Sequence, residues 1–276
     1  MSFSVNTNNS AATALQYLNA TQGQLSATQN AINSGLKVAT AKDDGAIYAI
    51  AQNQRGAVAG FTSVINSLNN GSSAIDVALS AGQSISDLLI QLKQKALSAA
   101  DPSLDTASRQ AMDEDFESYR DQITSIVNNA VFNGVNLIDG SLTGGISALA
   151  SSDGVHRITV SGENLALSGG IVTFGATAAI STQAAASAMI TTIETSLNNV
   201  NSALARLGSA SKKLSIQSTF VQNLSDTLTT GIGNLVDADM ATESAMLTSL
   251  QTKQQLGVQA LAIANQSPSI VLKLFG

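Results

Sequence analysis

Apolar residues recur along this chain with a period of seven rather than two. Counting from Ile47, every seventh residue gives Gln54, Phe61, Leu68, Ile75, Gly82, Leu89 and Ala96. Counting from Ile50 gives Ala57, Val64, Gly71, Ala78, Ile85, Leu92 and Ala99. The two series are offset by three, as the a and d positions of a heptad are, and they hold for about eight heptads, past the three or four that argue for a coiled coil. The pattern predicts one long helix, roughly 80 Å at 1.5 Å per residue, capped by Asp43 or Asp44 and stopped at Asp101-Pro102, because proline cannot continue a helix. A shorter helix follows from a Ser103 or Asp105 cap. Its apolar positions are Met112, Phe116, Tyr119, Ile123, Ile126 and Ala130, and Asn133-Gly134 is read as its end. A third seam runs through Ile193, Val200, Leu207, Leu214, Val221, Leu228 and Leu235. Its companion series, Leu197, Leu204, Ser211, Ser218, Ser225 and Ile232, is weakened by serines.

Residues 135–180 break the pattern. Glycine is frequent, and the β-branched runs at 155–160 and 171–174 are bounded by Asp153-Gly154 and Ser168-Gly169-Gly170, which predicts a small β-hairpin excursion. Both ends return to heptads: Ala11, Leu18, Leu25 and Ile32 at one, and Leu256, Ile263, Ile270 with Leu250, Gly257, Ala264, Val271 at the other. Leu261 adds to the second set. Ordering about 35 residues of a terminal stretch costs more conformational entropy than burying a dozen aliphatic side chains returns, so both are expected to fold only against neighbouring molecules. The expected fold is mainly α: an elongated antiparallel coiled-coil bundle with a β-hairpin excursion in the middle and helical tails at both ends.

Composition narrows the function. Among 276 residues there are 13 Lys+Arg against 19 Asp+Glu, a net charge of −6. That balance speaks against a nucleic-acid partner, which selects for basic stripes, and against an anionic membrane surface. The first twenty residues hold no Lys or Arg and no continuous apolar core, unlike a cleaved signal peptide. Cysteine is absent, which removes disulfides and thiolate chemistry, and a single His156 cannot build a common zinc site. His156 is read as a surface strand residue. Asp113-Glu114-Asp115 with Glu117 splay around a helix and do not converge, so they are read as a solvated face. Asp237, Asp239 and Glu243 are read first as helix caps and second as intersubunit partners of Lys42 or Arg55. No nucleophile–base pair, phosphate loop or metal cluster is visible, so an enzyme, a cofactor and a metal are not expected. The Asn-glycosylation triplets at Asn8 and Asn19 are given no weight.

Three stretches carry a family resemblance: SGLKVATAKDDGAIYAIAQNQ (34–54), Phe132-Asn133-Gly134-Val135, and LVDADMATES (235–244) with LAIANQSPSIVLKLF (261–275). In that order and at those distances the chain resembles bacterial flagellins, in a minimal form without large outer domains, and the wording of 41–54 and 251–267 is similar to the alphaproteobacterial subgroup. The resemblance implies a structural subunit of a hollow helical filament for swimming motility. It is exported unfolded through a type III gate, is secreted, and ends outside the cell. Implied partners are many copies of itself, a filament cap protein, hook–filament junction proteins and an export chaperone. It divides the chain into an inner-tube tail (1–35), outer-tube helices (36–134), an exposed hairpin region (135–180), the returning outer-tube helix (181–235) and a second inner-tube tail (236–276).

On this reading the inner-tube assembly residues are Ala11, Leu18, Leu25, Ile32, Leu250, Leu256, Leu261, Ile263, Ile270 and Val271. The outer-tube seam is Ile47, Ile50, Phe61, Val64, Leu68, Ile75, Ile85, Leu89, Leu92, Ile193, Val200, Leu207, Leu214, Val221, Leu228 and Leu235. Hydroxyls open to O-linked sugars are Ser141, Thr143, Ser151, Ser152, Thr173 and Thr177. Gln91 and Lys95 stand where strongly recognised family members are expected to present Arg and an apolar residue to animal innate receptors, so detection by them is not expected. The nearest rival is a hook–filament junction protein. A holdase chaperone is a more distant one, since it would carry acidic or apolar tips rather than apolar tails at both ends.

Overall fold

The computed structural model describes residues 7–275, with side chains over 7–266. Five helices account for most of it: α1 (Asn9–Ser34), α2 (Gly45–Ala99), α3 (Thr106–Asn129), α4 (Gln183–Val236) and α5 (Met240–Phe275). The chain forms two compact units, one of residues 1–56 with 227–276, the other of 57–226. Helix ends follow local chemistry. Asp44 Oδ1 accepts the amides of Ala46 and Ile47 at the head of α2, and Asp105 Oδ1 accepts that of Ser108 at the head of α3. Gly35, at φ +72°, ends α1 in a left-handed cap with its amide on the Ala31 carbonyl. The left-handed conformation is open to glycine without the penalty a Cβ incurs.

In the larger unit α2 and α4 run antiparallel. As α2 advances through Gly71, Gly82 and Lys93, its neighbours on α4 retreat through Leu214, Leu204 and Glu194. The seam is closed: Phe61, Val64, Leu68, Ile75, Ile85, Leu89, Leu92, Ile193, Val200, Leu207, Leu214 and Val221 are all buried. A Cβ at Gly82 would stand 2.6 Å from Leu204 Cδ2, so the heptad glycine marks close helix approach. Helix α3 covers the end of this pair with Phe116, Ile123 and Val127, all buried. Buried Arg109 donates from Nε to the Ala99 carbonyl and from Nη2 to that of Asp101, which satisfies the open C-terminal end of α2 that Pro102 leaves behind. Lys95 and Asp115 pair at 2.5 Å across α2 and α3.

The middle of the chain differs from expectation in two places. The helix of residues 106–129 ends before Asn133-Gly134, which instead forms the two-residue turn of a small hairpin, β1 (Val131–Phe132) with β2 (Val135–Asn136). Both turn residues have positive φ, +50° and +80°, as a type I′ turn requires, and Asn-Gly is the pair that best tolerates this. The second hairpin pairs β3 (Ile146–Leu149) with β4 (Arg157–Val160) antiparallel, Ile146 opposite Val160 and Leu149 opposite Arg157. The run at 171–174 is not a strand. Val172 and Phe174 are buried, but the Thr173 amide donates to Ser196 Oγ and the Ile171 carbonyl accepts from Asn199 Nδ2, so side chains of α4 occupy groups a partner strand would have used. The turn into β3 depends on Gly145, at φ +68°, where a Cβ would collide with the Val160 carbonyl. Gly145→Ala is expected to destabilise the larger unit by about 2 kcal/mol or more, from left-handed strain plus the clash, read as a lowered midpoint in urea titration of the soluble chain.

Candidate self-assembly surface

In the smaller unit α1 and α5 lie antiparallel. Asn8 Nδ2 donates to the Ala264 carbonyl at 2.8 Å, Gly257 faces Leu18, and Gln254 Nε2 donates to Gln22 Oε1 at 2.6 Å. A Cβ at Gly257 would come within 3.2 Å of Leu18 Cδ1, so glycine lets the two backbones close. The segment after α1 is stitched to the end of α4: the amides of Lys37 and Val38 donate to the Val236 carbonyl, and that of Ala238 to the Gly35 carbonyl. Asp43 Oδ2 gathers the amides of Ala39 and Thr40 and the Thr40 hydroxyl. Asp239 caps α5, accepting from the Ala241 amide at 3.0 Å and the Thr242 hydroxyl at 2.7 Å.

The expectation that both tails wait for neighbours is thus modified, because each tail supplies the other with one apolar stripe. The helices contain more apolar stripes than one pairing can cover. On α5 the series Leu250, Gly257, Leu261 and Ala264 is buried or half-buried, whereas Leu256 and Ile263 keep 58% and 70% of their surface open. On α1, Leu25 is buried and Ala11, Leu18 and Ile32 are half-buried, while Leu15 and Tyr17 are exposed. The long-helix seam loosens in this unit as well: Ile47, Leu228 and Leu235 are half-buried and Ile50 is 49% exposed. Val258, Met240 and Met246 add further open apolar surface. The side chains of Ile270 and Val271 lie outside the described residues. An uncovered set of this size on paired amphipathic helices is what an association surface presents.

Two features of this unit titrate. The hydrogen bonds from Thr40 and Ala39 hold Asp43 below its ordinary value of 3.8, and those from Thr242 and Ala241 hold Asp239 below the same value. A carboxyl depressed in the folded state contributes stability that is present above its unfolded value and is lost as pH falls through the folded one. The folded chain is therefore expected to lose stability as pH drops below the usual carboxylate range, and Asp239→Asn, which lacks one of the two titrating groups, is expected to lose less of its neutral-pH stability on acidification than the parent. Urea titration of the full chain at several pH values, followed by circular dichroism, checks this.

Elsewhere the placement is simple. His156 is exposed beside β4. Among the sugar candidates Ser141, Thr143, Ser152, Thr173 and Thr177 are exposed and Ser151 is half-buried. The oxygens of Ser141 and Ser151 are held by Asp139 and Asp153, and that of Thr173 by α4. Among the described residues no group of three or more His, Cys, Asp or Glu could hold a metal ion, and no helix is long and apolar enough to cross a membrane.

Paired terminal helices with surplus apolar stripes, joined to long antiparallel helices with a closed seam, define a class of structural protein whose work is association. Comparison with known proteins gives the family. Residues 5–143 match the bacterial flagellin N-terminal helical region, and residues 190–275 the bacterial flagellin C-terminal helical region. Among similar proteins, flagellin FljM of Caulobacter vibrioides is 53% identical over 272 residues, 99% of this chain and 98% of its own length. The flagellin of Brucella melitensis is 35% identical, with 99% of each chain covered. The solved structure of a putative flagellar hook-associated protein from Vibrio parahaemolyticus shares the fold at a TM-score of 0.59, covering 71% of this chain and 100% of that one at 16% identity. The chain belongs to the bacterial flagellin family, and it is a structural subunit of the flagellar filament, an extracellular appendage built by self-polymerisation. The hook–filament junction alternative is not better supported, since the relatives that match end to end are flagellins.

Proposed function

We propose that the unit formed by α1 and α5 builds the inner tube of that filament and that the unit of 57–226 builds the surrounding layer. The observation that carries this is the contrast between them: one seam is closed within the chain, while Leu256 and Ile263 stand open on α5. In the polymer these open stripes meet the α1 and α5 helices of neighbouring copies, and burial of apolar surface drives elongation. Export proceeds unfolded through the type III gate with a chaperone. A chain without cysteine forms no disulfide that would obstruct threading. A cap protein and the hook–filament junction proteins meet the same unit at the filament's ends. O-linked sugars attach at the exposed hydroxyls, Thr143, Ser152 and Thr177 ahead of those whose oxygens are already hydrogen-bonded. The deciding experiment is electron microscopy of the purified full chain after seeding with filament fragments. Long hollow filaments are the expected result, and capped, non-propagating stubs would overturn the reading.

A further inference from the structure

The larger unit carries an open face that its own packing leaves unused. On α4, Ser209, Lys212, Lys213, Ile216 and Phe220 point away from the buried Leu207–Leu214–Val221 seam, with Ile216 62% and Phe220 58% exposed. Between Glu194 and Asp226 this helix has three cations and no acid. Arg206 is held by Glu163 through two hydrogen bonds, whereas Lys212 and Lys213 have no ion pair among the described residues. A basic, apolar face of this kind on a chain of net charge −6 is out of keeping with its surroundings.

A complementary face lies on α3. Glu114, Glu117 and Asp121 follow one another at spacings of three and four, so they line one exposed side of the helix, turned away from the buried Phe116, Ile123 and Val127. The residues interleaved with them, Ala111 and Ser118, are small and exposed, which leaves hollows into which bulky side chains fit, as knobs enter holes between packed helices. Arg120 is the nearby cation, and it is turned inward to the Ala178 carbonyl while bracing Glu117 and Asp121. The two faces cannot meet within one chain. Asp115 lies beside Lys95 and Leu214 beside Gly71, so about 24 residues of α2, about 36 Å, separate them along the helix.

We propose that in the assembled polymer the Lys212–Phe220 face of α4 docks on the Glu114–Asp121 face of α3 in a neighbouring copy, with Phe220 and Ile216 set among Ala111 and Ser118 and the lysines against the carboxylates. This rests on the filament reading but adds a lateral contact between the larger units, distinct from the α1–α5 stripes. Complementary charge accelerates encounter and fixes register, and it is screened by salt.

The test is charge reversal in the full chain, with elongation from seeds followed by light scattering and the monomer fold checked by circular dichroism. Lys212→Glu with Lys213→Glu is expected to slow elongation about tenfold or more at low ionic strength, in the range by which steering changes association rates. Adding Glu114→Lys and Glu117→Lys to the same chain restores complementarity with the signs exchanged and is expected to recover most of the rate. Because Glu117 also braces Arg120, Glu114→Lys alone serves as a second rescue arm. Reversed lysines that elongate at the parent rate with the parent salt dependence would overturn the proposal, and so would a loss that neither rescue arm relieves in a normally folded monomer. Failure of the parent chain itself to elongate would count against the filament reading instead.

Discussion

Leu256→Asp combined with Ile263→Asp is expected to abolish filament growth while leaving the monomer folded. Both side chains are more than half exposed in the single chain, so exchanging them there changes monomer stability within about 0.5 kcal/mol. In the filament each is expected to be buried by a neighbour. Losing the burial of two large aliphatic side chains costs roughly 3–6 kcal/mol per subunit contact, which raises the critical concentration about a hundredfold to ten-thousandfold. Placing a carboxylate in that interface adds an unpaired charge to the cost. Sedimentation of seeded protein over a range of concentrations measures the critical concentration, and circular dichroism melting measures the monomer. Polymer formation at the parent concentration would show that this stripe is not the association surface. The double substitution is sharper than removing the last twenty residues. Truncation should also stop growth, but it strips α1 of the partner residues around Gly257, Leu261 and Ala264 as well.

The largest effect on folding is expected from Phe116→Ala. Phe116 is fully buried, and its ring lies 6.4 Å from that of Phe174, tilted at 48°, so it joins α3 to the segment that follows the hairpin. At 171–174 this segment makes a single bridge, Val172 with Leu167, and it is held by Ser196 and Asn199 on one side and, through Ile180 and Ala178, by Asp113 and Arg120 on the other. Removing a buried phenylalanine costs about 3–5 kcal/mol, with the cavity included. In a domain of this size that lowers the melting temperature by roughly 6–20 °C. The loss should concentrate in the larger unit, so hydrogen exchange should quicken in 106–129 and 165–180 while α1 and α5 exchange as in the parent. A uniform change across both units would mean that the two melt as one.

The heptad arithmetic reads out the helices because an amphipathic helix buries a stripe, and a stripe is a local property of the chain. The positions of the two long seams, the caps at Asp44 and Asp105 and the stop at Pro102 follow from neighbouring residues alone. The misreadings fall where a backbone group had more than one suitable partner. Asn133-Gly134 satisfies both a helix-ending motif and a hairpin turn, and the strands available at 131–132 and 135–136 select the turn. The run at 171–174 has strand composition, but the side-chain donors and acceptors of α4 reach it first.

The sequence by itself determined that this is a helical protein with surplus apolar stripes at its ends, because periodicity is a property of residue order. It did not distinguish the stripe of Leu250, Gly257 and Ala264 from that of Leu256 and Ile263, since both repeat every seven residues and both are apolar. Only the tertiary structure decided which of the two turns toward the chain's own α1 and which stays exposed. The physical reason is steric. The missing side chain of Gly257 lets the helix carrying Leu18 approach to contact distance, and with the Asn8–Ala264 and Gln254–Gln22 hydrogen bonds this turns one face of α5 inward and the other outward.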